Sequence, residues 1–294
     1  DGWLDLLVVG FASTPPMLRA AVVHAMDVVD QERPRALDAL LAPWREQHGA
    51  AALMRVQLCL DAHLKRLTLT PPDPQQRPRF LYVPDLPAPR YFERALFEWI
   101  APLEAASAGI RAEAEAVLQQ DGALQPFLSF DSAEQVGQYL GGADTPPAWD
   151  AYFFYRDGRR YDAHHQRCPQ TSATLEALPL VRIREHAPEI CYSVLAPGTH
   201  ILPHTGVSNL RVVVHLPLIV PADCAIEVAG QTHAWREGEV VVFDDSYEHQ
   251  AWNRSGERRV ILLMDTWNPY LTPIEREAFS ALVAGIGDFN RAEV

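Results

Sequence analysis

The sequence predicts an α+β protein in which a double-sheet jelly roll is preceded by a helical amino-terminal region. Three observations point to this class. Up to about residue 68, apolar residues recur at three- and four-residue spacing, the mark of helices with one buried face. Between residues 69 and 90 seven prolines interrupt the chain, and proline fixes φ while removing a backbone donor. From Trp149 onward the pattern changes to short apolar runs closed by Gly, Pro and Asp, which reads as many short strands. The implied organisation is a helical region over 1–68, a Pro-rich connector over 69–90, and a β domain with flanking helices over 91–294.

In chain order, Pro15-Pro16 opens a first helical run through Met17, Leu18, Val22 and Met26, with proline in its tolerated place. Pro34 leads into a second run over Ala36–Trp44, and Gly49 separates that from Leu53, Val56, Leu60 and Leu64. The pattern predicts short helices stacked as hairpins. Within the connector, Phe80–Val83 reads as a short strand. Tyr91 to Gln120 is helical again, and Pro102 predicts a kink or a second helix starting there. Tyr152-Phe153-Phe154-Tyr155 followed by Asp157-Gly158 is a strand entering a turn. Further strands are predicted at Glu189–Leu195, Leu210–Val220, Ala225–Val228, Val240–Phe243, Gln250–Asn253 and Arg258–Asp265. Thr272-Pro273 caps a last helix over Ile274–Val283.

Composition narrows the function. The 294 residues are 48% hydrophobic, which fits an ordered globular chain. A net charge of -13 argues against a nucleic-acid or anionic-membrane partner, because both repel it. Cys59, Cys168, Cys191 and Cys224 are widely spaced, which fits free thiols in a reducing, cytoplasmic setting. No apolar run approaches the ~20 residues of a membrane span. The Leu4–Phe11 stretch is short, lacks a basic flank and contains Asp5, so it is not read as a signal peptide.

Of eleven histidines, His204 and His249 stand out because each sits where a strand meets a turn. Two imidazoles suit iron, zinc, copper or nickel, so ligand type does not choose the metal. A non-haem iron site commonly adds a carboxylate two residues after its first histidine, and that position here is Gly206.

Ordered motifs add what spacing lacks. Tyr192-Ser193 with Pro197-Gly198-Thr199-His200 is followed by Pro203-His204-Thr205-Gly206, Asn209-Leu210-Arg211 and His215-Leu216. Trp235-Arg236-Glu237-Gly238, Phe243-Asp244-Asp245-Ser246, Glu248-His249, Trp252, Arg259 and Asp265-Thr266-Trp267 come next. This stretch resembles the aspartyl/asparaginyl β-hydroxylase family of 2-oxoglutarate-dependent oxygenases. The resemblance covers most of the chain from about Phe80, with weaker matches at Trp149, Gly158-Arg159-Arg160, Pro169 and Thr171.

The resemblance implies a double-stranded β-helix (jelly-roll) oxygenase core with Fe(II) held by His204 and His249. It implies that Gly206 is a normal feature, with water in the missing carboxylate's place, and that 2-oxoglutarate and O2 are co-substrates. Arg259 resembles the arginine that pairs with the distal carboxylate of 2-oxoglutarate, where a planar guanidinium gives two parallel hydrogen bonds. Ser193 and His215 resemble further contacts to the co-substrate. Relatives commonly carry arginine two residues before the His215 position, and here that residue is Val213. Arg211 is kept, and Arg156, Arg159 and Arg160 are candidates to replace the lost charge at the substrate entrance. Asp244 and Asp245 either orient a metal ligand or shape the turn, and the turn is the favoured reading.

The implied activity is hydroxylation of an aspartyl or asparaginyl side chain, or of a related group on a peptide, carrier-bound amino acid or small molecule. Two alternatives remain open: hydroxylation of a lipid or metabolite, and a catalytically silent metal- or ligand-binding barrel.

Overall fold

A computed structural model of the chain describes residues 15–128, 133–142 and 146–292, and the Leu4–Phe11 stretch lies outside them. Helix α1 (Pro16–His48) begins on a proline and stops at Gly49, whose φ of 81° and N–H to the Arg45 carbonyl (3.0 Å) end the ladder. It is one helix of 33 residues, where the pattern predicted a break at Pro34. Each proline removes a single ladder hydrogen bond. Burial of Leu37 and Leu41 holds the turns after Pro34 in place. A 3₁₀ turn at Ala51–Leu53 leads to α2 (Met54–His63), which buries Val56, Cys59 and Leu60.

The strand predicted at Phe80–Val83 is absent apart from one bridge between Leu81 and Ser208. A side chain takes the place of the partner strand there. Val83 N–H donates to Asn209 Oδ1 at 2.7 Å, and Asn209 Nδ2 donates back to the Val83 carbonyl at 2.8 Å. Helices α3 (Ile100–Ala105) and α4 (Ser107–Leu118) divide at Ala106 rather than at Pro102. Pro102 falls in the first turn of α3, where its missing N–H would have had no ladder partner.

Strand β1 (Gln125–Pro126), helix α5 (Ala133–Tyr139) and β2 (Leu140–Gly141) precede the hairpin of β3 (Trp149–Arg156) and β4 (Arg159–Arg160). Asp157 and Gly158 both have positive φ, 51° and 72°, as a two-residue type I′ turn requires. Helices α6 (Asp162–Arg167) and α7 (Pro169–Glu176) follow, too short to show a helical period in sequence. Then come β5 (Ile190–Leu195), β6 (His200–His204), β7 (Arg211–Ile219), β8 (Cys224–Val228) and β9 (Gln231–Ala234). The chain ends with β10 (Val241–Phe243), β11 (His249–Asn253), β12 (Arg259–Trp267) and α8 (Pro273–Ala292). Thr272 and Glu275 cap α8 reciprocally, as Glu275 N–H donates to Thr272 Oγ1 (3.2 Å) and Thr272 N–H to Glu275 Oε2 (2.9 Å).

Two antiparallel sheets form the β region. One runs β1-β3-β5-β12-β7-β10 with β4 beside β3, and the other runs β2-β6-β11-β8-β9. Side chains alternate across a strand, and β7 uses both faces. Val212, Val214, Leu216 and Leu218 join Ile110, Ala114 and Val117 of α4 in one apolar cluster. Val213 points the other way, into a cluster with Ile201, Ile226 and Ala251 of the second sheet. The first sheet therefore has helices on one face and the second sheet on the other.

A third cluster joins Leu37 and Leu41 of α1, Val56 and Leu60 of α2, Leu81, Val83 and Leu86, and Phe279 and Leu282 of α8. The segment predicted as a connector is thus packed, with one core running through the helical start, residues 81–86 and the last helix. Among the described residues no helix is long and apolar enough to cross a membrane.

Candidate active site

His204 ends β6 and His249 begins β11, and the antiparallel register sets them directly opposite each other. Their ring centroids are 4.1 Å apart at 54°. Each ring is held at Nδ1 by a nearby carbonyl, His204 by that of Leu202 (2.8 Å) and His249 by that of Tyr247 (2.9 Å). A carbonyl only accepts, so both Nδ1 atoms carry the proton and both Nε2 atoms keep a free lone pair. Burial, with His249 adjacent, pushes the His204 imidazole down to about 4. Burial lowers His249 as well. Both rings are neutral at physiological pH, the form that binds a metal.

Beyond His204 the chain turns at Gly206, whose N–H donates to the Asp245 carbonyl at 2.6 Å. A Cβ at Gly206 would overlap the Asp245 carboxylate. The position where a third ligand might be sought is filled by another residue's side chain. Asp245 Oδ2 accepts from Arg211 Nη2 at 3.0 Å, while its buried Oδ1 has no partner among the described residues. Asp244 does different work. It accepts from Ser246 N–H (2.9 Å), Ser246 Oγ (2.6 Å) and Gln76 Nε2 (3.1 Å), and so holds the turn.

Among the described residues no group of three or more His, Cys, Asp or Glu is arranged to hold a metal ion. Gly206→Asp is accordingly expected to lower stability by about 2 kcal/mol or more through overlap and like charge, and to add no metal affinity. Tighter cobalt(II) binding in that variant, measured by calorimetry, contradicts the packing described here.

A cavity of about 650 Å³ opens beside the histidines, lined from both sheets. One end is built for an anion. Arg259, at the start of β12, is 2% exposed, yet among the described residues no carboxylate pairs with it. Its Nη1 donates to Ser193 Oγ (3.3 Å), it lies 5.0 Å over the Trp235 ring, and its Nε has no partner among the described residues. Burial pulls the guanidinium down to about 10, so it remains charged at neutral pH. Ser193 also accepts from Trp149 Nε1 at 2.9 Å. His215 Nδ1 and Trp235 Nε1 are likewise buried and, among the described residues, unpartnered. Burial and the Arg259 charge push the His215 ring well below its usual range. Orphaned groups of this kind are costly, and here they converge on one end of one cavity.

The other end is acidic. Arg211 also lines the cavity, with Nη1 on Asp265 Oδ1 (2.6 Å) and Nη2 on Asp245. Burial alone would lower its pKa, but the two carboxylates raise it. As a predicted substrate contact, Arg211 is already engaged by two carboxylates.

Arg156, Arg159 and Arg160 are not among the residues lining the cavity. Arg156 donates to the Phe127 carbonyl (3.3 Å), Arg159 lies 5.8 Å from the Tyr161 ring, and Arg160 pairs with Asp162. Arg156 lies over the Phe153 ring (4.6 Å), beside cavity-lining Phe127 and near enough for its charge to act on Glu189, while Asp157 itself lines the cavity.

Glu189 lines the same end. Among the described residues its carboxylate makes no hydrogen bond or ion pair, and only its backbone N–H is used, on Asp265 Oδ2 (3.2 Å). Burial, then the Asp265 charge, raises it from 4.5 to about 7. The folded state therefore holds a proton that the unfolded state releases. Stability from this group is full below pH 4.5 and is lost as pH rises through 7. Glu189→Gln is expected to stabilise the fold by up to about 3 kcal/mol at pH 8 and not at pH 4. Urea melts at the two pH values check this, and an equal effect at both would show that the carboxylate is not strained by burial.

Glu189 and Trp235 were not singled out as site residues from sequence, although Trp235 stands inside the ordered motifs. A tryptophan, or a glutamate at a strand end, has many ordinary packing and surface roles. Only the cavity distinguishes these two.

Comparison with known proteins identifies the family. The family described as aspartyl/asparaginyl beta-hydroxylase matches residues 104–269. Human aspartyl/asparaginyl beta-hydroxylase is 38% identical over 135 residues, 46% of this chain and 18% of that protein. Aspartate beta-hydroxylase domain-containing protein 2 of Xenopus tropicalis is 30% identical over 213 residues, 71% of this chain and 55% of that protein. The ornithine lipid ester-linked acyl 2-hydroxylase of Rhizobium tropici is 31% identical over 188 residues, 63% of each. The chain spans less than two thirds of each of these relatives. With more than half of its length matched, and with Ser193, His204, His215, His249 and Arg259 all inside the matched region, the chain belongs to the aspartyl/asparaginyl β-hydroxylase family.

Proposed function

We propose that the chain is an iron(II)- and 2-oxoglutarate-dependent hydroxylase, with the metal held by His204 and His249. The observation that carries this reading is Arg259, a buried guanidinium without a carboxylate partner, in the same cavity as two imidazoles whose Nε2 atoms are free. The two-sheet frame fits a double-stranded β-helix. Iron(II) and 2-oxoglutarate, when bound with dioxygen, supply oxidative hydroxylation of an unactivated carbon, with succinate and carbon dioxide as co-products.

The chain's own residues do the rest. Arg259 Nε and its free N–H groups take the distal carboxylate of the co-substrate, and Ser193 Oγ is placed to join them. Trp235 Nε1 and His215 Nδ1 are the remaining unmatched groups at that end, and His215 is neutral, so it adds no competing charge. The Leu202 and Tyr247 carbonyls fix both ligand tautomers. Asp245 fills the space beside Gly206. Apolar walls from Ile201, Ile226, Val213 and Phe243 exclude bulk water.

The substrate class proposed is an aspartyl or asparaginyl side chain or a related amino-acid-like group on a peptide, carrier or small molecule. Val213 in place of a cavity arginine favours a second reading, hydroxylation of a lipid or small metabolite.

Loading the purified chain anaerobically with iron(II) and 2-oxoglutarate and then admitting oxygen is expected to yield succinate, uncoupled turnover included. Absence of succinate, together with unchanged metal binding in His204→Ala, overturns the proposal.

A further inference from the structure

The cavity is polar in the electrical sense, and its two ends differ in sign. Arg259 and Asp265 both line it from β12, six residues apart, which is about 20 Å at strand rise. The Arg259 end presents the unmatched N–H groups described above. The Asp265 end presents three carboxylates, Glu189, Asp245 and Asp265, against the guanidinium of Arg211, which pairs with two of them, and the more distant charge of Arg156. Position 213, between Arg211 and His215 on the same face of β7, is a valine, so no further cation sits there. At the rim, exposed Arg79 and Asp157 both line the cavity and offset each other in charge.

Within the acidic end Arg211 satisfies one oxygen each of Asp245 and Asp265, and the Glu189 backbone N–H satisfies the other oxygen of Asp265. Two acceptors are left over. Asp245 Oδ1 is fully buried without a partner, and the Glu189 carboxylate has none among the described residues. Ionised carboxylate oxygens only accept, and a cation bound beside Glu189 favours its ionised form. A substrate carboxylate would meet like charge here, whereas a group with several N–H donors and a positive charge would meet unused acceptors.

We propose that Glu189 makes the substrate end of this cavity a cation subsite, which selects a substrate carrying a primary amine or guanidinium near the carbon to be hydroxylated. The inference rests on the hydroxylase reading above and narrows its substrate class. Glu189 is the specificity determinant because, among the described residues, it is the one carboxylate of the three without an ion pair, Arg211 and Arg156 acting on it only from a distance. Asp245 and Asp265 hold Arg211, and they set the local sign without being free to turn toward a ligand.

The test uses N-acetyl tripeptide amides of the form Gly-X-Gly, with X as lysine, ornithine, Nε-acetyl-lysine or aspartate. Binding to the purified chain is measured by calorimetry and by tryptophan fluorescence, with 2-oxoglutarate present. The lysine and ornithine probes are expected to bind about tenfold or more tighter than the acetylated and aspartate probes, the size of one charge-assisted hydrogen-bond contact. Glu189→Gln is expected to erase that preference, and Val213→Arg to reverse it toward aspartate. Thermal melts establish that both variants are folded, and the two variants alter the same preference from different strands.

A wild-type preference for the aspartate or acetylated probe overturns the proposal, as does a preference that survives Glu189→Gln. So does failure of both amine probes to bind in the millimolar range. Uncoupled succinate formation by the wild-type chain is read separately and without any probe, so failure of the hydroxylase reading is distinguishable from failure of the cation subsite.

Discussion

Arg259→Gln is expected to remove 2-oxoglutarate binding while leaving the free protein at least as stable as before. Two effects with opposite signs produce this. Without a ligand, the guanidinium is a charge held at 2% exposure with no carboxylate partner among the described residues. Its lowered pKa shows that burial works against it. Replacing such a charge by a neutral group of similar shape relieves desolvation. With ligand, the same charge is one half of a buried pair, and breaking a buried pair costs about 3–5 kcal/mol, or roughly 10²–10³-fold in affinity.

Thermal unfolding reads both effects. Saturating 2-oxoglutarate with cobalt(II) is expected to raise the wild-type midpoint, since a ligand at 100 times its Kd adds about 2.7 kcal/mol. In Arg259→Gln that increment should vanish. An undiminished 2-oxoglutarate shift in the variant sinks the clamp, and a large drop in stability without ligand sinks the account of its burial. Arg259→Lys is expected to rescue little, because an ammonium cannot form the planar two-bond pair.

The second large effect is expected at the histidines. The chain supplies two imidazoles and, among the described residues, no third metal-binding side chain in range. Losing one of two ligands leaves a single attachment. His204→Ala and His249→Ala are each expected to weaken cobalt(II) or iron(II) binding by about 100-fold or more, beyond the 10–100-fold typical of losing an outer-shell partner. Each ring makes one recorded hydrogen bond, to a carbonyl two residues back. Stability of the metal-free protein should therefore change by only about 1–2 kcal/mol. Anaerobic calorimetry gives the affinity and a urea melt gives the stability. Retained metal binding in both variants would falsify the assignment of the site to this pair.

Much of the β region was legible in sequence because strand periodicity is local. Val212-Val213-Val214-His215-Leu216 is a short run rich in β-branched residues, and such a run reads as a strand buried on both faces. The predicted strands from residue 189 onward lie within a few residues of the observed ones. The short strands at Gln231–Ala234 and His200–His204 were not predicted, because the first lacks an apolar run and the second contains Pro203. In the helical start, periodicity showed helix but not its continuity. Whether a helix passes through Pro34 depends on what holds the turns beside it, and that is the packing of Leu37 and Leu41 against distant residues.

The same division runs through the site. Ordered motifs pointed to His204, His249, Ser193, His215 and Arg259, and all five line one cavity. The arginines of the β3–β4 turn were equally visible as charges, yet none of the three is among the residues lining the cavity, and only Arg156 lies close to it. Asp245 was indistinguishable in sequence from its neighbour Asp244. Only the approach of two turns puts one carboxylate against Gly206 and the other onto Ser246 and Gln76.

Residue type and spacing therefore determined, by themselves, the strands, since each is a property of a short stretch, while the ordered resemblance to a family singled out the two imidazoles and Arg259. Tertiary structure alone decided which charges are neutralised and which are left over. Arg211 is consumed by Asp245 and Asp265, which come from two other segments of the chain, while Glu189 and Arg259 are left facing the cavity unpaired. Ion pairing depends on distance in space, and no local pattern encodes that distance.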